Sequence, residues 1–172
     1  MINVSKVIFD NKKSFFYLYN HINLCDLKIQ NAIENILYTV VTYMGLDAQI
    51  YFPNISLKLE YGHDILNKLR NKLLYDLLTY YFPYKNIENY NMIEIVHEDN
   101  SLVDNMLNAK EFMHSKLDTN LESTIVKILN SRNSNGTFGS FKNFNELLLS
   151  SSLALLVITE FLIYRLDNMN YV

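Results

Sequence analysis

The chain has 172 residues, of which 49% are hydrophobic and 19% are charged, with only 4 Gly and 2 Pro. Such a composition excludes a disordered or collagen-like chain, because those chains are poor in apolar residues or rich in Gly and Pro. The net charge of −3 provides no overall positive field that would attract nucleic acid or an anionic membrane, so such binding requires a local patch. The length predicts a single domain over residues 1–172.

The first half of the chain is predicted to be helical. Residues 4–22 carry an aromatic run without a clear period, which we interpret as a helix. In residues 24–45 the apolar side chains recur at three- and four-residue steps, and Gly45 stands where a C-cap belongs, which predicts a second helix. A short extended piece is expected at 49–52, and another helix over 62–82, where a proline follows the apolar stripe.

The second half contains two further amphipathic helices and a loop. The first helix covers residues 101–114. Thr119 and Glu122 form a capping-box pattern that predicts the start of the second helix, which ends near the loop. Residues 131–142 read SRNSNGTFGSFK and contain two of the four glycines, so they form the clearest loop of the chain.

The last predicted helix, residues 144–165, is the most apolar segment, and Asn143 with Glu146 offers it a capping pair. Glu160 and a run of serines leave it short of the roughly 18 to 20 unbroken apolar residues of a membrane span. We interpret it as a buried core helix, with a tail anchor as the alternative. Together these elements predict an all-α fold, a single up-and-down bundle of four to six helices.

The single cysteine and the N-terminus indicate a cytoplasmic protein. Cys25 cannot form an intramolecular disulfide, whereas secreted proteins usually pair their cysteines. The N-terminus lacks the charged start, apolar run and cleavage site of a signal peptide. We expect Cys25 to be a small buried apolar group rather than a reactive thiol.

Few residues offer a pattern with catalytic or metal-binding chemistry. His63 and Asp64 begin a predicted helix, where a carboxylate is an ordinary cap. His97, Glu98 and Asp99 form the most metal-like cluster, but adjacent residues rarely converge on one ion. No paired His or Cys spacing supports them, so we expect neither a metal nor a cofactor.

Two common catalytic motifs are missing from the sequence. There is no G-x-S-x-G serine elbow and no phosphate-binding G-x-x-x-x-G-K-[ST] loop, which argues against a serine hydrolase and excludes a P-loop nucleotide site. His114 falls near the end of a predicted helix, where we expect it to be solvated.

Arginine occurs only three times, and Arg132 has the most unusual position of the three. It lies where a helix meets the polar loop, followed by Asn133, with Lys127 before it and Lys142 after it. A guanidinium there can hold a phosphate through two hydrogen bonds, as a lysine cannot. The alternative is an exposed cap at the helix C-terminus.

Three stretches of the chain resemble the HEPN superfamily of small helical bundles. They are AIENILYTVVTYMG (32–45), similar to the first long helix of the family; YGHDILNKLRNKL (61–73), similar to its second helix; and ILNSRNSNGTF (128–138), similar to the arginine-bearing turn before the last long helix. The resemblance implies a homodimeric helical bundle that acts on RNA without metal, in a toxin–antitoxin, defence or stress system.

The resemblance also implies catalytic roles for Arg132 and Asn133. Family members that cut RNA have a histidine after four to six intervening residues, but Thr137, Phe138 and Gly139 occupy those positions here. The general acid is therefore missing from the motif. We expect a HEPN-like protein that acts on RNA or is a non-catalytic member, with RNA or a protein such as an antitoxin as its partner.

A second interpretation is a non-catalytic interaction protein whose bundle presents a groove to a partner helix, as viral host modulators of the Bcl-2-like type do. The composition, rich in Asn, Ile and Tyr, is typical of AT-rich viral genes. The chain has no Trp, however, and lacks the Asn-Trp-Gly-Arg groove signature.

Overall fold

The chain folds as an all-α bundle, as its sequence predicts. The computed structural model describes residues 2–45, 47–53 and 100–169. The expected helix over 62–82 lies outside these residues. The described helices are α1 (Val4–His21), α2 (Leu27–Tyr43), the single turn α3 (Ala48–Tyr51), α4 (Asn100–Ser115), α5 (Asp118–Asn130) and α6 (Phe144–Met169), with a 3₁₀ turn at Ile22–Leu24.

Helix α6 lies at the centre of the bundle and contacts α1, α2, α4 and α5. Its residues 148–161 are all buried, because a helix that is apolar on every face must be covered on every face. By length and composition, the segment Phe144–Asp167 is apolar enough to cross a membrane. However, 78% of its most apolar 18-residue stretch is buried inside the protein. The prediction of a buried core helix is confirmed.

Three of the four buried hydroxyl groups of α6 are hydrogen-bonded, whereas the hydroxyl of Ser150 is buried without a partner among the described residues. Ser152 and Thr159 each donate to the carbonyl oxygen four residues earlier in the helix. Ser151 accepts a hydrogen bond of 2.8 Å from the backbone N–H of Phe138. A buried hydroxyl costs little free energy when it is hydrogen-bonded in this way, so these side chains are compatible with the core.

Glu160 is the one acidic residue in the buried part of α6, and an ion pair accompanies its burial. Its side chain is 4% exposed, and Oε2 lies 2.5 Å from Nζ of Lys110 on α4, which is 23% exposed. An unpaired carboxylate in this position would be costly to remove from water. The pair therefore joins α4 to α6 in addition to their apolar packing.

The predicted start of the second helix is wrong by three residues. A 3₁₀ turn occupies Ile22–Leu24, and α2 begins at Leu27 after Asp26. Leu24 and Leu27, both expected in the buried stripe, are 69% and 71% exposed. The turn interrupts the helical period, so these two side chains do not continue the buried face of α2. The C-terminal end is as predicted, with Gly45 at φ +78°.

The predicted extended piece at 49–52 is also wrong, since these residues contribute to the helical turn α3. The N–H of Phe52 donates to the carbonyl of Ala48 at 2.9 Å. The ring of Tyr51 packs edge-on against Phe15 of α1, with 5.3 Å between their centroids. Tertiary contacts of this kind override weak local preferences in so short a segment.

Of the two residue pairs predicted to cap helix N-termini, one is confirmed. Asn143 Oδ1 accepts a hydrogen bond from the N–H of Glu146 at 3.2 Å. Thr119 does not cap α5, because the helix already begins at Asp118. Lys116 adopts φ +57°, and Leu117 occupies the N-cap position, so the helix starts two residues earlier than the predicted box implies.

We expect replacement of Lys110 by Met to destabilise the protein by about 3 kcal/mol, because it leaves the Glu160 carboxylate buried without this ammonium. The matched control is Lys6→Met, which removes an exposed pair with Asp10 and should cost less than about 1 kcal/mol. Urea denaturation measures the free energy of unfolding of both variants. Adding Glu160→Leu to Lys110→Met should restore most of the stability, and equal costs for the two single variants would contradict the role of the buried pair.

Candidate functional site

The α5–α6 loop, residues 131–142, is folded back on itself. The backbone N–H of Asn133 donates to the carbonyl of Thr137 at 2.7 Å, and Arg132 and Phe138 form an antiparallel bridge. Phe138 is fully buried. The loop is therefore an ordered turn anchored in the core by one aromatic side chain.

Arg132 joins this loop to α1. Its Nη2 donates to Asn11 Oδ1 at 2.8 Å, and its Nη1 donates to Ser14 Oγ at 3.1 Å. The guanidinium also lies over the ring of Phe138, 4.8 Å from the centroid. A planar fork can make these contacts together, whereas a lysine cannot. The alternative of an exposed helix cap at Arg132 is thus wrong.

The charge of Arg132 is only partly compensated. Burial lowers the pKa of its guanidinium, and the nearby carboxylate of Asp10 opposes that shift. An arginine starts so far above neutral pH that it stays charged. No carboxylate of the described residues lies within ion-pair distance of it, and two hydrogen bonds to α1 leave other N–H donors of the group for a ligand.

Arg132 forms part of the wall of a cavity of about 530 Å³, which we call the Arg132 cavity. Within the described residues, α1 and the preceding residues supply one side, and the end of α5 with the loop supplies the other. Its apolar lining consists of Ile2, Val7, Val126 and Leu129, and its polar lining consists of Asn3, Lys6, Asp10, Lys13, Asn130, Arg132, Asn133 and Ser134.

The cavity has an excess of positive charge. Lys6 pairs with Asp10 at 2.9 Å, which neutralises one lysine. In the part of the chain that the structure describes, Lys13 and Arg132 have no carboxylate within ion-pair distance. Lys13 on α1 and Arg132 on the α5–α6 loop line the same space, so the arrangement is suited to an anionic group.

Asn133 also lines the cavity, but its amide holds the loop together. Its Nδ2 donates to Thr137 Oγ1 at 3.0 Å and to the carbonyl of Gly139 at 2.8 Å. Neither of the described histidines lines the cavity. His21 is hydrogen-bonded to the carbonyl of Tyr17. His114 is exposed at the end of α4, as the sequence predicts. The described groups can hold an anion but include no evident proton donor near neutral pH.

The remaining sequence candidates fall outside the described residues. These are His63 with Asp64, and the cluster His97, Glu98 and Asp99. Among the residues that the structure describes, no group of three or more His, Cys, Asp or Glu side chains is arranged to hold a metal ion.

Cys25 is buried, as predicted. Burial raises the pKa of its thiol to about 11, and the neighbouring Asp26 adds to that shift. A thiol with such a pKa carries almost no thiolate at neutral pH, so its part in the fold is that of a small apolar side chain.

Sequence reasoning missed the contribution of α1 to the site. Asn11 and Ser14 are buried polar residues three positions apart in a helix, and this spacing places both on one face. Two polar residues at helical spacing within an apolar, aromatic segment were the sequence signal that could have indicated this contact. Gly136 was missed as well: it adopts φ +103°, and a Cβ on it would lie 3.0 Å from Cα of Ser14, so the loop backbone rests directly on α1.

The chain matches no family model, no curated protein and no solved structure.

We expect Gly136→Ala to lower the free energy of unfolding by about 2–3 kcal/mol, because it combines a left-handed backbone with overlap against α1. Gly45→Ala is the matched control, since Gly45 also has a positive φ but open space around it, and should cost about 1 kcal/mol. Urea denaturation compares them. Equal losses would show that the loop does not rest closely on α1.

We expect Cys25 to resist alkylation in the native protein. With a pKa of about 11 its thiolate fraction at pH 8 is about a hundredfold below that of a thiol with pKa 9.0, and burial slows access further. Iodoacetamide labelling at pH 8, followed by mass spectrometry, should be at least about a hundredfold slower than in the urea-unfolded chain. Cys25→Ser is the blank, and similar rates for native and unfolded protein would contradict the burial.

Proposed function

We propose that this protein binds single-stranded RNA at the Arg132 cavity without cutting it, as a non-catalytic HEPN-like protein of a toxin–antitoxin, defence or stress system. The observation that carries the proposal is the half-buried guanidinium of Arg132. It has no carboxylate partner among the described residues, and its N–H donors are only partly used. It lines one cavity with Lys13.

A phosphate group matches this donor set. Its oxygens accept hydrogen bonds from a guanidinium fork, and a nearby lysine adds charge without demanding a fixed direction. Contacts of this kind bind RNA through its backbone, largely independent of base sequence. The net charge of −3 restricts such binding to this local patch.

An exposed aromatic ring beside the cavity favours a single strand over a duplex. Phe9 is 71% exposed and lies three residues after Lys6 and four before Lys13, so all three share one face of α1. Unpaired bases stack on such rings while neighbouring phosphates meet the lysines. In a duplex the bases are already stacked on one another.

Binding without cleavage is supported by the lack of a suitable acid among the described residues of the cavity. The histidine expected after Arg132 is missing from the sequence, and neither described histidine lines the cavity. A homodimer remains a prediction from the family resemblance, which size-exclusion chromatography with light scattering tests.

A second candidate function uses the same cavity. Its apolar lining, which includes Val7, Val126 and Leu129, beneath a charged rim is a surface on which an amphipathic partner helix docks. Salt separates the two candidates: RNA binding through phosphates weakens steeply as salt rises, whereas docking on an apolar floor changes little.

We expect Lys13→Gln to weaken the binding of a labelled single-stranded RNA about three- to tenfold and to reduce the salt slope by about one unit, because one phosphate contact is lost. Phe9→Ala should weaken binding at least about fivefold at every salt concentration, because it removes a stacking surface. Fluorescence anisotropy measures the affinities. Lys116→Gln, a lysine outside the cavity, is the matched control for charge.

The proposal fails if the wild-type protein does not bind RNA, or if Lys13→Gln and Lys116→Gln behave alike. Gel analysis of the same RNA should show no cleavage by the wild-type protein. Cleavage that disappears in Arg132→Ala would instead establish a nuclease and overturn the non-catalytic assignment.

A further inference from the structure

The Arg132 cavity carries two positive charges that its own lining does not compensate. Of the charged side chains that line it within the described residues, Lys6 and Asp10 neutralise each other at 2.9 Å, which leaves Lys13 and Arg132. Neither of these two has a carboxylate within ion-pair distance in that part of the chain. An anion that contacts both cations is therefore matched best if it carries two negative charges.

The two cations come from parts of the backbone that touch each other. Arg132 Nη1 donates to Oγ of Ser14, the residue after Lys13, at 3.1 Å. The loop also rests on this turn of α1, since a Cβ on Gly136 would lie 3.4 Å from the carbonyl oxygen of Lys13. Because the lysine side chain is long and flexible, its ammonium can reach a group that is bound at Arg132.

The hydrogen-bond donors at this point suit a phosphate with three free oxygens. A guanidinium has five N–H groups, of which Arg132 uses two for Asn11 and Ser14. The ammonium of Lys13 adds three donors. A phosphate monoester has three such oxygens and a charge of about −1.5 to −2 at pH 7, whereas a phosphodiester inside a strand has two free oxygens and one charge.

We propose that the Arg132 cavity binds the phosphate monoester of a nucleotide, at an end of an RNA strand or in a free mononucleotide. The inference rests on the proposed RNA binding and specifies which part of the RNA enters the cavity. The volume of about 530 Å³ lies within the range of small-ligand pockets and suits a single nucleotide. A strand end fits such a space, whereas an internal nucleotide must continue on both sides.

The apolar part of the lining accounts for the rest of the nucleotide. Val7 of α1 and Val126 and Leu129 of α5 line the same cavity as the two cations. A base or a ribose can pack on these side chains while its phosphate meets Lys13 and Arg132. The carboxylate of Asp10 repels the phosphate, which favours this orientation over the reverse one.

Fluorescence anisotropy with one internally labelled single-stranded RNA tests the inference. The RNA carries a 5′-phosphate, a 3′-phosphate or neither. We expect one phosphorylated form to bind at least about tenfold more tightly than the unphosphorylated form, because charge-assisted hydrogen bonds are added. Competition by nucleoside 5′- and 3′-monophosphates distinguishes a free nucleotide from a strand end as the source of the group.

The second ionisation of the phosphate gives a signature in the pH dependence. Its pKa is about 6, so the monoester loses close to one negative charge between pH 7.5 and pH 5. The preference for phosphorylated RNA should fall from about tenfold to about threefold or less over this range. The unphosphorylated RNA is the control for titration of the charged groups of the described lining, which are Lys6, Asp10, Lys13 and Arg132.

Two variants test the cations through the same preference. Lys13→Gln should reduce it to about threefold or less, and Arg132→Lys, which keeps the charge but loses the fork, should reduce it similarly. Lys116→Gln should leave it unchanged. Circular dichroism checks folding, and Lys13→Gln, at an exposed position, serves alone if Arg132→Lys does not fold.

The outcomes separate this inference from the proposed function. Equal affinities for phosphorylated and unphosphorylated RNA would overturn the inference and leave RNA binding intact, as would a preference that is unchanged at pH 5 or in Lys13→Gln. Binding of a mononucleotide without binding of RNA would support the monoester site and overturn the proposed function. If neither RNA nor a mononucleotide binds, both are wrong.

Discussion

The enclosure of α6 is the constraint on which the rest of the structure depends. A helix that is apolar on every face is stable in water only where other elements cover it, and α1, α2, α4 and α5 do so. Most polar groups in this centre have partners, with the hydroxyl of Ser150 as an exception within the described residues. Lys110 forms an ion pair with the buried Glu160, and Ser151 Oγ accepts a hydrogen bond from the backbone N–H of Phe138. The packing of α4 and the anchoring of the α5–α6 loop both follow from covering this helix.

The same anchoring gives Arg132 two roles. Because Phe138 is buried beside α6, the bridge across the loop brings Arg132 over α1, where it binds Asn11 and Ser14. The guanidinium therefore stabilises the docking of the loop and also presents its charge to a cavity. Helix α1 lines the Arg132 cavity along its N-terminal half.

Periodicity and composition were sufficient for the class of fold. The positions of α1, α4 and α6, the end of α2 at Gly45, the loop at 131–142 and the burial of Cys25 all agree with expectation. The predicted starts of α2 and α5 were wrong, because a local turn precedes each helix and shifts its first residue, at Leu24 and at Thr119. The position of Arg132 on a polar loop was also readable, because a scarce residue at the end of a periodic segment is conspicuous in the sequence.

The amino-acid sequence by itself determined that this chain forms a helical bundle around its last, most apolar helix, because hydrophobic spacing is a local property of the chain. Only the tertiary structure decided what surrounds Arg132, since Asn11 and Ser14 lie more than a hundred residues away along the chain. It likewise packed the ring of Tyr19 on α1 against Tyr51 and Phe52, which follow α2 in the chain. Contacts between distant residues depend on how whole helices pack, and no local pattern encodes that packing.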